Sequence, residues 1–148
     1  MSSLEGFAKR MRMRANNAPH EVNRVKRNTA LAVDQAVVLG TPVDTGTARS
    51  NWLVSTDAPK NDIIEAYDEL VGGDMSESVN AQAALAQGKK VIQAATPGQD
   101  IHITNNLPYI VPLNEGSSAQ APAAFVEEAV NAGVQAARRT RIDTRRCR

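Results

Sequence analysis

The chain has 148 residues, a net charge of +1, five aromatic side chains and a single cysteine, Cys147. That length sets one domain, in which folding buries about 70% of the unfolded surface, and so few aromatics require a core of small aliphatic residues. No apolar run approaches the roughly 20 residues of a membrane helix, no apolar leader opens the chain, and a lone cysteine forms no intrachain disulfide, so a protein made in the cytoplasm with no membrane partner is expected.

The small net charge hides a segregation. Residues 1–27 carry seven Lys or Arg against Glu5 and Glu21, and residues 138–148 carry six Arg against Asp143. The stretch between them carries four basic and thirteen acidic side chains. Basic ends on an acidic body point either to solvated tails or to arms that meet phosphate or the acidic face of another copy. The organisation expected is a basic N-terminal arm (1–17), a folded α+β body (18–137) and a basic C-terminal tail (138–148) that is mobile.

From Leu4, small or apolar residues recur at 4, 7, 11, 15, 18, 22, 25, 29, 32, 36 and 39, which is a helical stripe. Pro19 interrupts it, and Asn17 is suited to cap a new helix with Pro19 in its first turn. The spacing therefore predicts a short basic helix near 3–15, carrying Lys9, Arg10, Arg12 and Arg14, and a main helix near 18–39 stopped by Gly40 and Pro42. In the corner that follows, Asp44 and Thr45 can bond their own downstream backbone, and Gly46 supplies a positive φ.

Residues 51–56 alternate as a strand with one buried face. The acidic stretch 57–73 contains Ile63, Ile64 and Tyr67 but shows no assignable element. Asp74 with Glu77 opens an inserted helix through Ala95, with Ala84, Gly88, Val91 and Ile92 on one side. Thr96-Pro97-Gly98 is a turn, and residues 100–105 alternate as a second strand with Ile101 and Ile103 inward. Pro112 makes 106–120 a loop or edge segment. Pro122 opens a last helix with Phe125 or Val126, Ala129, Val130, Gly133, Val134 and Ala137 at core spacing, and Arg138, Arg139 and Arg141 suit the negative end of its dipole. The class is α+β: a small antiparallel sheet packed by a long N-terminal helix, an inserted helix and a C-terminal helix.

Candidate chemistry is sparse. His20 and His102 are isolated, no Cys or His cluster has metal-ligand spacing, no phosphate-binding glycine loop occurs, and no cofactor is expected. Asp44-Thr45-Gly46 is the tripeptide of aspartic proteases, where two copies share a proton. Here it follows a helix stop and a proline, and Arg49 favours an ionised Asp44. No enzymatic activity is expected.

Two stretches carry a specific resemblance. Pro42-Val-Asp-Thr-Gly-Thr-Ala-Arg49, followed by Asn51-Trp52, is similar to the turn signature of the neck, or tail-completion, proteins of tailed bacteriophages. Asn106-Leu-Pro-Tyr109, Leu113-Asn-Glu-Gly116, Ser118 and Gln120-Ala-Pro122 resemble that family's second signature, in which a Tyr-containing strand runs into a Glu and Gly turn and then a Pro-started helix. Asn114 stands where the family usually has Glu. The resemblance implies a non-enzymatic virion protein, made in the host cytoplasm, whose copies form a ring (hexamer or dodecamer) at the head–tail junction. Its neighbours would be the connector or head-closure proteins and the tail terminator or tail tube, with genomic DNA in the lumen. Pro42, Asp44, Thr45, Gly46, Arg49, Trp52, Tyr109, Glu115, Gly116 and Pro122 would then hold the assembly motif, with Asp44 and Arg49 paired and Tyr109 and Glu115 bracing the adjacent loop. Lys9, Arg10, Arg12, Arg14, Arg138, Arg139, Arg141, Arg145 and Arg146 would meet DNA or a partner, one terminus facing the lumen and the other an acidic neighbour. The alternatives are a free nucleic-acid-binding protein that uses its basic arms and an Asp-Thr-Gly protease.

Overall fold

A computed structural model describes residues 3–42, 46–67, 74–119 and 123–145, the side chains of 74–78 excepted. In chain order these form α1 (Ser3–Gly40), α2 (Thr47–Ser50), β1 (Leu53–Thr56), α3 (Asp74–Ala94), β2 (Ile101–Thr104), α4 (Ile110–Asn114) and α5 (Phe125–Arg139). The class is α+β, mostly helical, with β1 and β2 paired antiparallel so that Val54 faces Ile103 and Ser55 faces His102.

The basic arm and the main helix are one element. The 38 residues of α1 make a rod about 57 Å long rather than two shorter helices. Pro19 lies inside it, where a missing N–H and a ring clash cost on the order of 3 kcal/mol. Asn17 does not cap: its Nδ2 donates to the Thr144 carbonyl at 3.0 Å. Three further bonds lie beyond the proline. The Asp143 N–H donates to Glu21 Oε2 at 3.1 Å, Arg24 donates to the Arg141 carbonyl, and Asn28 Nδ2 donates to Thr140 Oγ1 at 3.3 Å. The chain after α5 thus returns along α1 and splints it on both sides of Pro19. Four bonds at about 1 kcal/mol each are of the size needed to offset the proline. Residues 140–145, expected as a mobile tail, are this splint.

The stripe read from 4 to 39 is not a core stripe along its length. Leu4, Phe7, Met11, Val22 and Leu39 are exposed, and none of the described residues before Glu21 is buried. The core is concentrated in the second half of α1, where Val37 and Val38 join Trp52, Ala81, Ala84, Phe125 and Ala129. A second cluster holds Ala30, Val54 and Ile92, with Ile101 and Ile103 packed against it.

Two glycines set the helix spacing. A Cβ on Gly133 of α5 would strike Val33 and sit 3.4 Å from Thr29 Cγ2, and a Cβ on Gly88 of α3 would lie 2.9 Å from Asp34 Cγ and 3.0 Å from Val54 Cγ2. Both helices therefore approach α1 more closely than any larger residue would permit. Val130 and Val134 of α5, expected in the core, are 51% and 40% exposed because the buried line runs through Phe125, Ala129 and Gly133.

β1 is buried on both faces, not one: Leu53, Val54 and Ser55 are all buried in succession. Its outer edge is occupied by a side chain. Gln87 Nε2 donates to the Val54 carbonyl at 3.0 Å and its Oε1 accepts the Val54 N–H at 3.3 Å, as a third strand would. Residues 106–119, expected as loop or edge, include the short α4, in which Pro112 sits in the first turn where an N–H has no helical partner. α5 begins at Phe125, after Ala124 in the left-handed region at φ 66°, and not at Pro122, which lies outside the described residues.

Gly88→Ala is expected to destabilise the fold by about 1 kcal/mol net. Overpacking against a buried carboxyl costs about 1–3 kcal/mol, and the gain in helix propensity returns about 1 at most. A lower urea midpoint at unchanged slope checks it.

Candidate functional site

The corner that ends α1 is built from side chains that satisfy one another. The Thr41 hydroxyl donates to the Val37 carbonyl at 2.6 Å and accepts the Trp52 indole N–H at 2.8 Å. Arg49 Nε donates to the Thr41 carbonyl at 3.0 Å and its Nη2 to the Leu39 carbonyl at 3.2 Å. A guanidinium thus caps carbonyls left open at the negative end of α1. Pro42 and Trp52 are both buried.

Gly46 turns the chain at φ 79° into α2, and a Cβ there would strike the Asn80 amide. Asn80 instead lies against the bare glycine and pairs with Ser50 Oγ at 3.1 Å, tying α3 to the corner. Asn51 holds the acidic segment by two bonds: its Nδ2 donates to the Ile64 carbonyl and its Oδ1 accepts the Ile64 N–H, each at 2.8 Å. Asn105 Nδ2 donates to the Ala48 carbonyl at 2.9 Å. Asp44 and Thr45 lie outside the described residues, and with them the expected pairing of Asp44 with Arg49.

The second signature meets the same core cluster, on which Ile110 and Leu113 pack beside Trp52 and Phe125. Tyr109 precedes α4 in a turn, not in a strand, and is 42% exposed. Glu115 is exposed, and Gly116 follows at φ 93°. Asn114 makes the described bonds from this stretch to the start of α5. Its carbonyl accepts the Ala124 N–H at 2.7 Å, its Oδ1 accepts the Val126 N–H at 2.9 Å and its Nδ2 donates to Glu127 Oε2 at 2.9 Å. Asn114 thereby supplies the N-terminal cap that Ala124 cannot, and its hydrogen bond lowers the Glu127 pKa.

Charge is distributed along the rod. α5 runs antiparallel to α1: Phe125 lies against Gly40, Gly133 against Thr29 and Val33, and Thr140 bonds Asn28. The chain after α5 therefore leads toward the N-terminal end of α1, with Thr140 beside Asn28, Arg141 beside Arg24 and Thr144 beside Asn17. Lys9, Arg10, Arg12 and Arg14 are exposed beyond that point, and Arg138, Arg139, Arg141 and Arg145 are exposed along it. Arg145 Nε meets Asp143 at 3.1 Å, an exposed pair of little consequence for stability. Arg146 lies outside the described residues. At the other end Asp62, Glu65, Glu115, Glu127 and Glu128 are exposed. The molecule has a basic pole and an acidic pole.

Sequence reasoning passed over several buried polar residues. Asn23, Asp34 and Asn80 are 2% exposed or less. A polar residue in register with an apolar helical face was the available signal, as with Asp34 three residues before Val37. Asp34 sits against Gly88 with Oδ1 lacking a partner, and burial pushes its pKa up to about 7. Among the described residues, no three His, Cys, Asp or Glu side chains come together as metal ligands, and no helix is long and apolar enough to cross a membrane. An open groove lined by Thr56, Gln87, Lys90, Val91, Ala94 and Gln99 presents one cation and no carboxylate.

No family model, no curated protein and no solved structure matches this chain.

Thr41→Val keeps the shape of the corner but leaves the buried Trp52 N–H without an acceptor, so a loss of about 1–3 kcal/mol in unfolding free energy is expected by denaturant titration. Asp34 gives a pH signature. Between the ordinary carboxyl value of 3.8 and about 7, the folded chain holds a proton that the unfolded chain releases. Stability therefore falls as pH rises through that window, by up to about 1.4 kcal/mol per pH unit, and levels off above it. Asp34→Asn should flatten this slope in unfolding measured from pH 4 to pH 8. The lowered pKa of Glu127 acts in the opposite sense and at lower pH, where its stabilisation is lost as the carboxylate protonates.

Proposed function

We propose that this chain is a structural subunit of a tailed-bacteriophage neck, closing with copies of itself into a ring around the DNA channel between head-side connector and tail. The observation that carries the reading is the polarity of the rod. Basic side chains run along the N-terminal part of α1 and the C-terminal chain that lies on it, acidic ones gather where α1 ends, and there the described buried groups of the corner are used in holding the chain. The two stretches that resemble the neck-protein signatures lie over one core cluster, as expected of a motif that shapes a subunit. Asn114 in place of the family's usual Glu is accounted for locally, because it caps α5.

In a ring of such subunits the basic side chains of the terminus that faces the lumen add, giving a field that acts on phosphates without reading sequence. The partners on the two faces would be the connector or head-closure proteins and the tail terminator or tail tube. The site residues would act as architecture, so the subunit is not an enzyme.

The exposed basic side chains that run from Lys9, Arg10, Arg12 and Arg14 along α1 to Arg145 and Arg141 favour one second reading, a free nucleic-acid-binding protein. Mass measurement and duplex-DNA titration of the purified protein across salt separate the two. Closed oligomers with weak DNA affinity as monomer are expected for the neck subunit. Tight, steeply salt-dependent binding by a stable monomer would overturn it in favour of the second reading.

A further inference from the structure

We infer that the first turns of α1 dock on the acidic pole of a second copy of this chain, so that subunits join head to tail. The inference rests on the ring reading and specifies which surfaces make the joint. Residues 3–20 contain no buried position, although Leu4 is 75%, Phe7 53% and Met11 42% exposed. The first turns of α1 thus expose an apolar stripe with Lys9, Arg10, Arg12 and Arg14 around it.

The complementary surface lies on the same chain. In the segment that Asn51 fixes through Ile64, Ile63 is 56% and Tyr67 43% exposed, beside the exposed carboxylates of Asp62 and Glu65. Lys60 is the one cation between residues 57 and 67. One surface is thus apolar and basic, the other apolar and acidic.

The two surfaces do not neutralise each other within one molecule. Ile64 is tied to the corner that follows the last turn of α1, whereas Leu4 to Arg14 occupy its first turns, and a straight α1 separates them by several tens of ångströms. A contact between different patches on identical chains is heterologous, and it closes into a ring when the rotation it imposes divides a full turn. Charge complementarity would set its register and its salt dependence.

Charge exchange tests this. Arg10→Glu, Arg12→Glu and Arg14→Glu together, or Asp62→Lys with Glu65→Lys, are each expected to weaken self-association by about tenfold or more in sedimentation velocity. The chain carrying both sets restores opposite charges at every joint and should recover assembly. All five positions are exposed, so circular dichroism and the unfolding midpoint should stay near wild type. Wild-type rings that survive both single sets, or combined reversal without recovery, would overturn this joint while leaving the ring reading in place. A wild-type chain that stays monomeric at every concentration reached would overturn both. Loss of DNA binding with unchanged oligomers would assign the helix to nucleic acid instead.

Discussion

The Thr41 hydroxyl is the pivot on which the rest of the structure depends. It donates to the carbonyl of Val37 and receives the indole of Trp52, so one oxygen joins the end of the long helix to the entry of the sheet. Pro42 alone would stop a helix but leave the next direction open. Direction comes from the groups around that oxygen: Arg49 on the last carbonyls, Gly46 at a backbone angle that clears Asn80, and Asn51 on the acidic segment. Thr41, Asn51 and Asn80 are polar side chains buried in a core short of aromatics. In such a core, satisfied hydrogen bonds specify one geometry where small aliphatic side chains would allow several.

Close packing follows from the same shortage of bulk. α3 and α5 approach α1 at Gly88 and Gly133, and the clusters they enclose are made chiefly of Ala and Val. Asp34 pays for that closeness by losing water: Gly88 backs onto its carboxyl, one oxygen has no partner, and the proton is retained to about pH 7. Strengthening the α1–α3 contact with a larger residue at 88 would drive apolar volume into a carboxyl already short of hydrogen bonds. The packing therefore tolerates little change on this side and more at the exposed valines of α5.

Much of the fold was legible in the residues. The inserted helix, the two strands, the antiparallel sheet and the last helix follow from periodicity and turn chemistry, and the class with them. What local rules missed was tertiary. Pro19 looked like a boundary because its own cost is local, while the bonds that offset it come from residues 140–145, more than a hundred positions away. β1 looked half-exposed because alternation reports one face, whereas α3 and, through Ala30, α1 pack against it as well. Tyr109 looked like a strand residue by resemblance, yet Pro112 suits a first helical turn and α4 forms there. In the candidate site, Pro42, Gly46, Arg49 and Trp52 could be picked out by type. Thr41, Asn80 and Asn114 could not, since a threonine or asparagine that caps a distant element carries no mark in its own neighbourhood.

The continuity of α1 across Pro19 bears directly on how the charges are used. Two helices hinged at residue 17 would let the basic arm fold back over the body of its own molecule. A single rod denies that route, and the splint from the C-terminal residues removes the hinge where it would otherwise form. The unfavourable proline and the exposed apolar stripe are then two aspects of one arrangement. Chain stiffness keeps the poles apart, so neither is neutralised by the other within one molecule.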